Sequence, residues 1–87
     1  MPEVIVEFYG IPRQRAGRAD LPIRADTVSD ALAAVIKACP GLRDAVLHGK
    51  LTPHYRLSID GTRFVTEMNE RLLPGTRLLL LSADAGG

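Results

Sequence analysis

Cysteine is almost missing from this chain. The single Cys39 cannot close an internal disulfide, which makes a reducing compartment, the cytoplasm, the expected location. Tryptophan is absent, and the aromatics are limited to Phe8, Tyr9, Tyr55 and Phe64. With so few stacking groups, a nucleic-acid interface would have to rest on concentrated basic charge. That is lacking too: 11 Lys and Arg face 10 Asp and Glu, for a net charge of +1. The arginines are also scattered along the chain, so no nucleic-acid partner is expected. No apolar run approaches the ~20 residues that a bilayer span requires. The basic start and apolar segment of a signal peptide are not visible either, so no membrane partner is expected. His48 and His54 lie in a loop-like stretch without a nearby cysteine or a clear carboxylate partner, a poor basis for a zinc site. The acids offer no catalytic pair, which argues against an autonomous hydrolase. Cys39, beside Pro40 and without a basic cluster to activate it, reads as a small buried hydrophobe.

What is present is the composition of one globular domain, 46% hydrophobic and 24% charged over 87 residues, with neither repeats nor linkers. Val4 to Tyr9 is rich in β-branched and aromatic residues and reads as a strand, with Val4, Val6 and Phe8 on one face and Ile5, Glu7 and Tyr9 on the other. A turn through Ala16-Gly17-Arg18 leads to a second strand near Asp20 to Arg24, the two forming a hairpin. Pro22 within it argues for an edge position, because proline cannot donate to the ladder. The clearest helix starts at Thr27, a capping residue three positions before Asp30. Val28, Ala31, Leu32, Val35 and Ile36 then recur at the spacing of one apolar stripe, and Pro40-Gly41 stops the helix. A short helical turn is expected over Leu42 to Leu47 and a loop from His48 to His54. Tyr55 to Asp60 alternates as a strand with one wet face, Asp60-Gly61 makes a positive-φ turn, and Arg63 to Val65 returns as a short strand. Leu72 to Gly75 turns into a last strand, Arg77 to Ser82. The two long terminal strands are both apolar, which suits central, adjacent and parallel positions. The expected fold is α+β, a ubiquitin-like β-grasp roll with a mixed four- to five-stranded sheet on one main helix. Residues 1–82 form the domain and residues 83–87 a flexible tail.

That tail reads Ala83-Asp84-Ala85-Gly86-Gly87. Paired glycines make a thin strand of backbone that passes where side chains would not. The five residues reach at most about 17 Å from the sheet. Gly87, with its carboxylate, is therefore the candidate reactive residue, and Ala85 and Gly86 are the candidates for threading a partner's channel. Within Leu78 to Leu81, two side chains must face the helix and two must face away. With Leu78 and Leu80 in the core, Leu79 and Leu81 fall on the outer face near Ile5, a candidate partner-binding patch. The alternative is a strand buried on both faces by local loops.

The sequence resembles the MoaD/ThiS family of sulfur carrier proteins over nearly its whole length. The resemblance is carried by Phe8-Tyr9-Gly10 with Arg13 and Ala16-Gly17, and by Thr27-Val28 with Asp30-Ala31-Leu32. Further on it is carried by Pro40-Gly41-Leu42, Ile59-Asp60-Gly61-Thr62, Leu73-Pro74-Gly75-Thr76 and the closing Ala85-Gly86-Gly87. Thr76 stands where the family commonly has an acid, and Ser82-Ala83 replaces a proline pair frequent in molybdopterin-pathway members. The resemblance implies a carrier rather than an enzyme. A ubiquitin-activating-like (E1-like) adenylating enzyme would use ATP and magnesium to convert Gly87 to an acyl-adenylate, and a sulfur donor would then leave a thiocarboxylate. This chain itself would bind no cofactor or metal. The length, with the extra segment between helix and third strand, resembles the small, non-catalytic subunit of molybdopterin synthase, which acts in molybdenum cofactor biosynthesis. The acceptor would then be the large subunit of that enzyme. A ThiS-like carrier for thiamine biosynthesis, another sulfur-transfer pathway, a ubiquitin-like modifier of lysines and a plain β-grasp interaction domain are the alternatives.

Overall fold

Val4, Val6 and Phe8 occupy alternate positions of the first strand, β1 (Glu3–Phe8), and all three are buried. The computed structural model describes residues 1–83 and builds a five-stranded sheet around this strand. The elements that follow are α1 (Ile11–Ala16), β2 (Asp20–Arg24), α2 (Val28–Ala38), a 3-10 helix (Pro40–Ala45), β3 (Val46–Leu47) and β4 (Lys50–Leu51). Then come β5 (Tyr55–Ile59), β6 (Arg63–Phe64) and β7 (Arg77–Ser82). The sheet order is β2-β1-β7-β5-β6, with β3 and β4 as a separate two-stranded ribbon. β1 and β7 run parallel at the centre, and the other pairings are antiparallel. The sheet is mixed, as expected, and Pro22 sits on its β2 edge.

The main helix forms for the reasons legible in its sequence. The Thr27 side chain accepts the Asp30 N–H at 3.2 Å, satisfying one of the first-turn donors. Val28, Ala31, Leu32 and Val35 are buried against the sheet, whereas Ile36 at the edge of the stripe is half-buried. Opposite them lie the inward residues of β1 together with Leu57, Leu78 and Leu80. Leu42 and Ala45 of the 3-10 helix close the same core. Cys39 is buried within it, at the end of α2.

Four local expectations require correction. The segment before β2 is a short helix rather than a simple turn. Pro12 lies in its first turn, and Gly17 ends it at φ 73° with its N–H on the Arg13 carbonyl. The helical turn after Pro40 starts earlier than Leu42 and ends at Ala45, which leaves Val46-Leu47 as strand. The stretch expected as a loop supplies the turn and second strand of the β3–β4 hairpin, turned by His48 (φ 52°) and Gly49 (φ 74°), a pair of positive φ values that suits a two-residue hairpin. The polar face of β5 is only partly wet, because Ser58 is buried between Leu79 of β7 and Phe64 of β6 in the register.

Candidate functional site

The alternation of β7 decides which of its leucines can meet a partner. Leu78 and Leu80 are 0% exposed, whereas Leu79 and Leu81 point to the opposite face and are half-buried. Ile5 is likewise half-buried on that outer face. The register puts Ile5 opposite Arg77 and Glu7 opposite Leu79. Arg77 pairs with Glu7 across the two strands, so the ion pair stands beside Leu79 and sets Ile5 apart from the leucines. The structure thus brings Leu79 and Leu81 together and leaves Ile5 at the margin.

Other residues complete the leucine patch. Tyr9 continues the register past β1, its N–H on the Leu80 carbonyl, and is 43% exposed. On the far side Arg56 lies opposite Leu81, and its guanidinium stacks 3.6 Å from the centroid of the Phe64 ring, a cation–π contact. Phe64 is 41% exposed. The face is therefore apolar with a cationic cover at one edge and a carboxylate at the other. The Tyr9 hydroxyl donates to Glu7 at 2.7 Å. That bond, with Arg77 adding to it against the opposing effect of burial, holds Glu7 below the ordinary carboxylate range. The same bond pushes the Tyr9 phenol up.

β7 leads directly to the tail. Ser82 pairs with Tyr55, and the Ala83 N–H donates to the His54 carbonyl at 2.9 Å. The sequence-predicted residues Ala85, Gly86 and Gly87 lie outside the described residues. Beside the root of the tail is a cavity of about 290 Å³, lined by Ile11, Arg15, Asp44, His54, Tyr55 and Ser82 among others. A three-residue network forms its polar wall. The Tyr55 hydroxyl donates to Asp44 Oδ1 at 2.9 Å, Arg15 Nη1 donates to Asp44 Oδ2 at 2.6 Å, and the same Nη1 donates to the Tyr55 oxygen. Burial pushes the Tyr55 phenol up, and the Asp44 carboxylate adds to it. For Asp44, burial acts upward, but the bonds from Tyr55 and Arg15 and the arginine's charge outweigh it and hold the carboxyl low.

Sequence reasoning missed this network because its members are 29 and 40 residues apart along the chain. One signal did exist: Tyr55 falls on the buried face of its strand, and a buried phenol usually finds a polar partner. Among the described residues no group of three or more His, Cys, Asp and Glu could hold a metal ion. No helix among them is long and apolar enough to cross a membrane.

No family model matches the sequence. No curated protein sequence matches it either. Solved structures do. SAMP1 from Haloferax volcanii is 26% identical over 98% of this chain and 99% of its own, with a TM-score of 0.81. A chain of the Amycolatopsis orientalis BexX/CysO complex is 22% identical over 97% of this chain and 99% of its own, at 0.80. A chain from the complex of subunits 1 and 2 of the Helicobacter pylori molybdopterin-converting factor is 20% identical, covers 98% and 99%, and scores 0.67. The fold is the ubiquitin-like β-grasp of MoaD/ThiS-type sulfur carriers. These β-grasp neighbours are small carriers or modifiers rather than catalysts, and two of the three structures are complexes with a second protein. On the β-grasp body of this chain, the leucine patch and the tail-root cavity both adjoin the end of β7.

Proposed function

We propose that this chain is a sulfur carrier whose Gly87 carboxylate is activated and loaded by partner proteins. A carboxylate oxygen attacks the α-phosphorus of ATP, held with magnesium by an E1-like enzyme, and pyrophosphate leaves. A donor of sulfur at the oxidation level of sulfide then attacks the acyl carbon and displaces AMP, giving the thiocarboxylate. The acyl group stays on the carrier throughout, so the chain itself needs no acid, base or metal ligand. The single observation that most supports this reading is the full-length likeness to SAMP1 in a chain whose sequence carries Gly86-Gly87. The four residues beyond Ala83 span at most about 14 Å, enough for a narrow channel in a partner seated on the β7 end.

The acceptor that best fits the length and the neighbours is the large subunit of a molybdopterin synthase, where this chain would be the small, non-catalytic subunit. A thiazole-forming acceptor is the alternative pathway. Conjugation to lysines is the second reading, favoured by the likeness to a small archaeal modifier protein. Mass spectrometry of the protein from its host separates them: a thiocarboxylate adds the mass of sulfur over oxygen, and conjugation leaves glycine remnants on target lysines.

The direct test is one residue appended after Gly87. ATP–pyrophosphate exchange with the activating enzyme, recovered by pull-down, is expected to vanish, whereas circular dichroism stays unchanged. Normal exchange by the extended chain overturns the proposal. Gly86→Ala should lose most of the exchange for the related reason that a Cβ obstructs the channel.

A further inference from the structure

We propose that the cavity at the root of the tail is a docking site for an acidic side chain of the protein that receives the tail, with Arg15 as the residue that holds its carboxylate. Nη1 alone makes both bonds of the network, to Asp44 and to Tyr55. Nε and Nη2 donate to no acceptor among the described residues, although Arg15 lines the cavity. The planar fork therefore presents an unused edge of the geometry that binds a carboxylate through two parallel bonds.

That edge is also held in place. Two bonds engage Nη1, and the guanidinium carbon sits 6.0 Å from the centroid of the Tyr55 ring, so part of the side-chain freedom that binding would cost is already spent. Asp44 carries the one negative charge lining the cavity among the described residues, and both its oxygens are already engaged, by Tyr55 and by Arg15. The remaining polar side chains there, the His54 imidazole and the Ser82 hydroxyl, can donate. Ile11 supplies an apolar rim, 46% exposed. The cavity, at about 290 Å³, has room for the side chain of an aspartate or glutamate. Ala83 is part of its lining, so an occupant would touch the chain where it leaves the sheet. The identity of the partner rests on the proposed function; the carboxylate selectivity of the cavity does not.

The test uses the isotope-labelled full chain and no activating enzyme, so its failure is separable from failure of the carrier reading. Two capped tripeptides, acetyl-Gly-Glu-Gly-amide and its Gln counterpart, are titrated to about 50 mM at constant ionic strength, a range suited to weak contacts. The Arg15 Nε–H and the Tyr55, Ser82 and Ala83 amides are followed by NMR. Saturable shifts with the Glu peptide are expected, at least about fivefold tighter than with the Gln peptide, and weakened by a similar factor in Arg15→Lys, which keeps the charge but loses the fork. Equal response to both peptides, no response to either, or undiminished binding by a folded Arg15→Lys overturns the proposal. Should that variant not fold, the comparison of the two peptides on the unmodified chain decides alone. Binding seen only in Asp84→Asn would assign the site to the chain's own carboxylate and overturn it as well.

Discussion

Gly41 meets the backbone of α1 more closely than any side chain permits. A Cβ built there would lie 2.3 Å from the Arg15 carbonyl oxygen and 3.2 Å from its carbon. The glycine is therefore required by close approach of the 3-10 helix to α1, and not by its dihedrals. Gly41→Ala must push the end of α1 away, which strains a packed contact at a cost of about 1–3 kcal/mol. Urea denaturation should register that loss, and because Arg15 moves with its backbone, the Tyr55 ring resonances should shift with it. At the patch, Leu81→Glu places a charge on a half-buried outer position. We expect intact circular dichroism and loss of partner binding in a pull-down, whereas unfolding would mean that the outer face of β7 serves the body alone. These two residues also show what the sequence could and could not disclose. Leu81 was legible, since a period of two assigns each residue of a strand to a face. The demand at Gly41 was not, because it arises from a neighbour 26 positions earlier (41 minus 15) that no local pattern specifies.

Among the elements, α2 carries the largest share of the helix-side core. Leu32 is 1% exposed, and Leu32→Ala should cost about 2–5 kcal/mol through lost transfer and the cavity left behind. The urea midpoint should fall accordingly with little change in slope. The same helix was readable in advance because its signals are local and agree: a Thr27 cap, an apolar stripe and a Pro40-Gly41 stop. β7 was readable from its composition and β5 from its alternation. The short α1 was harder, since six residues give too few turns for a periodicity to emerge, and only Pro12 and Gly17 mark its ends. β3 and β4, at two residues each, carry no pattern of their own and depend on the turn between them. The Arg15–Asp44–Tyr55 network joins α1, the 3-10 helix and β5, so it exists only once three elements have docked. Its invisibility in the sequence follows directly from that.

At the scale of the whole molecule, three carboxylates among the described residues are held below their ordinary range: Glu7 by the bond from Tyr9 and by Arg77, Asp44 by Tyr55 and Arg15 against burial, and Glu70 by Arg63. A carboxyl lowered in the folded state stabilises it fully above its unfolded pKa of about 4 and ceases to do so as pH falls through the folded value. Tyr9 and Tyr55 are raised, so their contribution is complete below about pH 10 and is lost as pH climbs through the folded values. The urea midpoint should therefore be flat from about pH 5 to 9 and decline on both sides, and a midpoint that rose on acidification would contradict these pairings. The parallel embrace of β1 and β7 at the sheet centre has a mechanical corollary. Traction applied to the far end of β7 while the start of β1 is held would slide the two strands along each other, loading their shared ladder all at once instead of peeling it bond by bond. A pull on the end of β7 would thus be resisted by every bond of that ladder together, so long as the start of β1 is anchored.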